Sequence, residues 1–187
     1  GTLSFGGEYS HSKRTNLFVN PQGIVADDDS YSKEGIASAF VEYGRQIGKA
    51  SLQAGVRYEH VAFDYYIKNI HRKDMSRTTD DFFPSLGLSF PIGKVQMQLG
   101  YAKDILRPSF SQLSGEVTYN NRYTYQTGNP LLLPMTTDNI SLNAIYRWVS
   151  LSVGYQHIKN KVFYQSIPYS EDNPSVVLFS YTNQPAY

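Results

Sequence analysis

The sequence predicts an all-β chain, an antiparallel up-and-down meander of about eight strands, and three observations carry that prediction. Apolar and polar residues alternate with period two over stretches near ten residues long. No stretch carries a convincing helical period. The connections between the alternating stretches are short and long by turns.

The clearest stretch is 50–60, where Ala50, Leu52, Ala54, Val56 and Tyr58 alternate with Ser51, Gln53, Gly55, Arg57 and Glu59. Such a period gives a strand one apolar and one polar face. A helix over the same residues would put Leu52, Gly55, Val56 and Glu59 on one side, which serves no core. The pattern repeats at 94–103 (Val95, Met97, Leu99, Tyr101) and at 149–157 (Val149, Leu151, Val153, Tyr155). Weaker copies lie at 2–10, 34–46, 82–90, 137–147 and 176–187. Gln46-Ile47-Gly48-Lys49 and Pro91-Ile92-Gly93-Lys94 read as tight reversals in which glycine is free to take a positive φ, and Arg147-Trp148 reads as a third. The connections 11–33, 61–81, 104–136 and 158–175 are expected to be long polar loops, and they hold most of the charge.

Short turns at one end and long loops at the other are the layout of an outer-membrane β-barrel, whose spanning strands need about 9 to 11 residues. Composition fits this. Tyrosine is unusually common, 16 residues against 10 Phe and one Trp, and Tyr58, Tyr101, Tyr146 and Tyr155 end apolar strand faces. A ring with a polar tip suits the headgroup boundary, so these four are expected to form an aromatic girdle. A soluble β-sandwich with tyrosines at its rim is the alternative reading of the same alternation.

The length, 187 residues, is that of one domain, and there is no run of about 18 apolar residues for a transmembrane helix. The N-terminal sequence carries no signal peptide, and the chain reads as a fragment of a longer one. Net charge is +1, which excludes the clustered basic excess of a nucleic-acid binder. Cysteine is absent, which removes disulfides, thiol catalysis and Cys-ligated metal together.

Residues 103–146 carry a more particular signal. Arg107-Pro108-Ser109-Phe110 with Leu113 follows a strand, and Thr127-Gly128-Asn129-Pro130, Leu131 or Leu132, Leu133 and Pro134 lead into the next. This pair of motifs resembles the TonB-dependent receptors of bacterial outer membranes, and most of all their Bacteroidetes-type barrel subfamily. Gly55-Val56-Arg57-Tyr58-Glu59 resembles the Gly-x-Arg-Tyr segment of the same barrels. Apolar Leu131-Leu132 departs from the acidic or polar residue common after Gly-Asn-Pro. The resemblance implies a barrel of about 22 strands around a plug, of which residues 1–187 would be a single segment. Plug, TonB-contacting box and signal peptide have no counterpart in the sequence.

The motif residues read first as architecture. Pro108 stops or edges a strand, Gly128-Asn129-Pro130 makes a turn, and Pro134 holds Leu133 extended. Arg107, Pro108, Gly128, Asn129, Pro130 and Pro134 are thus expected to shape a loop folded at or into the barrel mouth, with ligand contact the lesser possibility. No catalytic residues, cofactor or metal site are expected: His11, His60, His71 and His157 lack ligand spacing, and Asp27-Asp28-Asp29 lacks the calcium-loop pattern. His71-Arg72-Lys73 reads as a solvated loop, with lipopolysaccharide phosphate as its other possible contact. Arg57, Glu59, Gln96, Gln98, Ser152 and Gln156 would line a wet interior.

The functional expectation is a non-enzymatic barrel portion of a receptor for energised uptake of siderophore, cobalamin, oligosaccharide or peptide. By resemblance, its partners are membrane lipid and lipopolysaccharide, an unidentified nutrient, and the inner-membrane TonB machinery acting through the plug. The isolated segment is expected to self-associate through the open edges of its first and eighth strands. A self-contained eight-stranded barrel or soluble β-domain, binding or adhering without transport, is the alternative, since eight is the smallest even strand number for such barrels.

Overall fold

The computed structural model describes residues 1–23, 26–171 and 175–184. Residues 24–25, 172–174 and 185–187, which fall within expected loops 11–33 and 158–175 and expected strand 176–187, lie outside the described residues.

The main sheet is a meander of seven long strands: β1 (Thr2–Phe18), β2 (Asp28–Ile47), β3 (Ala50–Ile67), β5 (Arg77–Ile92), β6 (Val95–Leu106), β9 (Met135–Tyr146) and β10 (Val149–Lys159). An eighth member, the two-residue β4 (Ile70–His71), folds back on the end of β3. Every pairing in this sheet is antiparallel. Ile47 pairs Ala50, Ile92 pairs Val95 and Tyr146 pairs Val149, so each short connection is a two-residue turn. Gly48, Gly93 and Arg147 take φ of 60°, 60° and 52° at the first turn position, as hairpin turns matched to strand twist require.

Register shows the two faces. Leu3, Val41, Val56, Leu86, Leu99, Ile140 and Val153 all lie on one face and are exposed, and the opposite face carries Gln53, Arg57, Gln98, Asn143 and Ser152. The alternation read from sequence is therefore an apolar band facing away from a polar wall.

The strands are longer than the period suggests. β1 runs through 11–18, β2 begins at Asp28 and β3 continues to Ile67, all inside stretches expected to be loops. The cause is visible on β3. Up to Tyr58 the band face is apolar, but beyond it that face carries His60 and Asp64 and the opposite face carries Val61, Phe63 and Tyr65. Polarity changes sides without any break in the ladder, so a search for one continuous apolar face stops halfway up the strand.

A second sheet stands at the long-connection end: β11 (Val162–Pro168), β12 (Val177–Asn183), β8 (Thr124–Thr127) and β7 (Val117–Asn121). Here the expected strand at 176–187 finds its place. It pairs with β11 and, in parallel, with β8, and is not a wall strand. The 104–136 connection contributes β7 and β8 as well as one helical turn, α1 (Phe110–Leu113). The buried core lies at this end. Phe63, Tyr65, Leu113 and Leu132 form one cluster, and Tyr125 and Val176 another.

The main sheet also divides at this end. Pairing of β5 with β6 stops at Ser85 and Ala102, whereas β3–β5 continues to Phe63 and Arg77 and β6–β9 to Leu106 and Met135. Pro84, which has no N–H to give a ladder, sits where the division starts.

Among the described residues β1 and β10 do not pair with one another, so the sheet is open. The self-contained eight-stranded barrel is thereby set aside.

Candidate functional site

The two halves of the Arg-Pro and Gly-Asn-Pro motif, about twenty residues apart in sequence, meet in the structure. Ser109 caps α1 in a capping box: its hydroxyl accepts from the Gln112 amide, and the Ser109 amide donates to Gln112 Oε1 at 2.8 Å. The turn's far end leaves carbonyls exposed, and Asn129 N–H donates to the Gln112 carbonyl at 2.6 Å. Gly128 lies flat on the same turn. A Cβ there would stand 2.4–2.6 Å from the carbonyl oxygens of Ser114, Gln112 and Ser111, so only glycine lets the halves dock.

Asn129 organises the rest. Its side chain accepts from Leu131 N–H and donates to the Tyr181 carbonyl, both at 3.0 Å. The fully buried Leu132 is thereby driven against Phe63, Tyr65 and Leu113. Tyr65, buried among them, donates to Ser30 Oγ and accepts from Gly115 N–H, each at 3.2 Å. Asn183 of β12 accepts from Leu133 N–H at 2.8 Å and donates to the Leu133 carbonyl at 3.0 Å.

Charge fixes the loop to the wall. Glu59 is 5% exposed on the polar face of β3 and pairs with both Arg57 (Nε to Oε1, 3.2 Å) and Arg107 (Nη2 to Oε2). A carboxylate this buried requires such partners. Further cations lie over rings: Arg57 and Lys103 over Phe83, Arg77 over Phe63, and Arg14 over Phe110. Arg77 also donates to the Pro130 carbonyl at 3.2 Å. Burial pulls its guanidinium below the usual value, and Glu34 pushes back. Beside this cluster is a cleft of ≈ 310 Å³ lined by Ser12, Arg14, Ser32, Glu34, Arg107 and Phe110. It combines cations, hydroxyls and aromatic rings, a surface suited to holding a ligand.

The structure gathers Arg107, Pro108, Gly128, Asn129, Pro130 and Pro134 into this one assembly. The four tyrosines fall at three levels of the register. Tyr101 and Tyr155 share a row through Ile140, and Tyr58 lies beside Phe82 further up the wall, whereas Tyr146 is at the two-residue turn. Asp28, inside the Asp27-Asp28-Asp29 run, accepts from Asn16 and Ser30. His60 and His71 each contact a single carboxylate, Asp80 and Asp64. Among the described residues no cluster of metal-ligating side chains occurs. Sequence reasoning missed Glu59 as the loop's anchor and Phe63 and Tyr65 as its seat. The apolar 61, 63, 65 alternation, out of phase with 50–58, was the signal that could have found the latter pair.

The description of a whole family now bears on this architecture: the outer membrane protein beta-barrel family matches residues 1–185. The chain belongs to that family. As a member it is a β-barrel protein of the bacterial outer membrane, and its seven-strand wall is part of the barrel. Among curated proteins none matches it by sequence. Of solved structures, the siderophore receptor PirA from Pseudomonas aeruginosa is similar at 13% identity and a TM-score of 0.50, over 98% of this chain and 38% of that one. The ferric enterobactin receptor PfeA from the same organism, as a Q482A mutant in complex with enterobactin, is similar at 16% identity and a TM-score of 0.44, over 98% and 37%. PirA from Acinetobacter baumannii follows at 14% and 0.44, over 98% and 38%. At these identities the likeness is one of fold, and the chain spans less than two-fifths of those receptors.

Proposed function

We propose that this family member is the barrel portion of a TonB-dependent outer-membrane receptor, of the Bacteroidetes-type subfamily, and takes up a nutrient by energised transport. The observation that carries the reading is the motif loop. It is packed on the polar face of the wall at the long-connection end and held by Glu59–Arg107, with a cationic and aromatic cleft beside it. The siderophore and ferric enterobactin receptors of similar fold favour a siderophore-type ligand over cobalamin, oligosaccharide or peptide.

In this reading residues 1–187 are one barrel segment, and a plug encoded elsewhere in the reading frame contacts the TonB machinery. The motif loop shapes the mouth and lets Arg107 and the nearby cleft face the ligand. Tyr58, Tyr101 and Tyr155 form the outer girdle and Tyr146 part of the inner one, in contact with lipopolysaccharide and phospholipid respectively. The role is that of a receptor and not an enzyme.

The test is uptake by cells expressing the whole reading frame under iron limitation, with and without a functional TonB system. Uptake of a ferric siderophore that depends on both the reading frame and TonB is the expected result. A frame that ends near Tyr187 with no plug-like domain, or uptake indifferent to TonB, would overturn it.

A further inference from the structure

The two-residue turns have an unusual composition. Gly48-Lys49, Gly93-Lys94 and Arg147-Trp148 each carry one cation, and Arg45 adds a fourth on the apolar-band face beside Tyr43. No Asp or Glu lies within five residues of any of the three turns. All four cations are exposed. The opposite end carries charges of both signs, with Asp64, Asp74 and Asp80 beside Lys68, Arg72 and Arg77.

Apolar residues interleave with these cations. Trp148 is 90% exposed, Ile47 56% and Ile92 57%, and Ile47 and Ile92 continue the lipid-facing band down to the turns. Arg147 lies over the Tyr146 ring, 5.4 Å from its centroid. Bulky apolar tips beside cations that form no ion pair among the described residues suit neither bulk water nor the hydrocarbon core. They suit the headgroup layer, where long cationic side chains reach phosphate while their stems and the rings stay in the acyl boundary.

We propose that this rim is a binding surface for anionic phospholipid, engaging phosphatidylglycerol-type headgroups of the inner leaflet through Arg45, Lys49, Lys94 and Arg147, with Trp148 as the interfacial anchor. Short turns mark the periplasmic end of such barrels, so the leaflet met there is phospholipid. Charge complementarity selects the anionic species, because a local cation cluster without acidic neighbours attracts anionic headgroups over zwitterionic ones. The rim would gather a shell of anionic lipid around the barrel's lower edge and fix its depth in the membrane. The inference rests on family membership and not on the transport reading, so it stands or falls separately from uptake.

Trp148 is the chain's one tryptophan and reports on the site directly. The whole reading frame, with every tryptophan other than Trp148 replaced by phenylalanine, is reconstituted in nanodiscs of phosphatidylcholine doped with headgroup-spin-labelled phosphatidylglycerol or, in parallel, with equally labelled phosphatidylcholine. The expected result is a blue-shifted Trp148 emission in both and stronger quenching by the labelled phosphatidylglycerol. Its local enrichment should be about fivefold per engaged cation at low salt and should fall as salt is raised. The R45Q/K49Q/K94Q/R147Q variant should keep the blue shift and lose the preference. Equal quenching by the two lipids, a preference that survives in the variant, or emission at the wavelength of water-exposed tryptophan would each overturn the proposal.

Discussion

Gly128 sits against three backbone carbonyls, none of which belongs to a flexible side chain that could yield. Gly128→Ala should therefore lift the Gly-Asn-Pro turn off α1, and hydrogen exchange should show lost protection at Asn129 and Leu132, whose amides bond to Gln112 and Asn129. Unchanged protection would mean that the docking is not what glycine is for. Glu59 makes a different kind of contribution. Glu59→Ala leaves Arg107 and Arg57 on the inner face without their carboxylate, at a cost of about 2 kcal/mol, below that of a wholly buried pair because Arg57 is half exposed. Arg107→Ala in addition should cost less than the sum of the single changes, and a denaturant double-mutant cycle measures the coupling. At the β4 hairpin, Arg72 donates to both Asp74 oxygens, at 3.0 and 2.8 Å, and holds that carboxyl below its usual range. A depressed folded-state pKa contributes stability above the unfolded carboxylate range, and that contribution is lost as pH falls through the folded value. NMR titration should find Asp74 ionising at lower pH than a free aspartate and returning toward the ordinary value in Arg72→Gln. The legible part at this scale was the identity of the motif residues. Their partners were not legible, because Glu59, Phe63 and Tyr65 lie 42 or more positions from Arg107 and no local period connects them.

The elements were read well wherever one face met lipid and the other water. The wall strands between the two-residue turns and Tyr58, Tyr101 and Tyr155 follow the alternation without error, and Gly48 and Gly93 make the turns expected of them. Above that height the strands go on, but their surroundings change. The outward face of β3 meets water at His60 and Asp64, and the inward face packs on the motif loop through Phe63 and Tyr65. β7 and β8 were invisible for a related reason: a strand of four or five residues, set in a small sheet with one parallel pairing, offers too short a period to detect. β12 was seen as a strand but assigned to the wrong sheet, since alternation says nothing about which partner a strand takes. The free edges of β1 and β10 are an element-scale liability, as unpaired N–H and C=O rows template association. The isolated chain in detergent should sediment as dimers and larger species. A strictly monomeric chain would show that those edges are protected.

Taken whole, the molecule has two ends of different character joined by one continuous wall. The turn end is bare, cationic and apolar; the far end is built up by the motif loop and the second sheet and holds nearly all of the buried core. Between them the wall is a sheet with lipid on one side, and it needs no core of its own there. We place the membrane's outer boundary on β3 where polarity changes faces, between Tyr58 and Val61. Because the chain has no cysteine, single cysteines report cleanly on each position. The measurement is labelling of Ala54→Cys, Val56→Cys, Ala62→Cys and Asp64→Cys in outer membranes with a charged, membrane-impermeant thiol reagent and with a lipid-soluble one. Positions 54 and 56 should react only with the lipid-soluble reagent, and 62 and 64 with the charged one. Labelling of all four by the charged reagent, or of none, would contradict it.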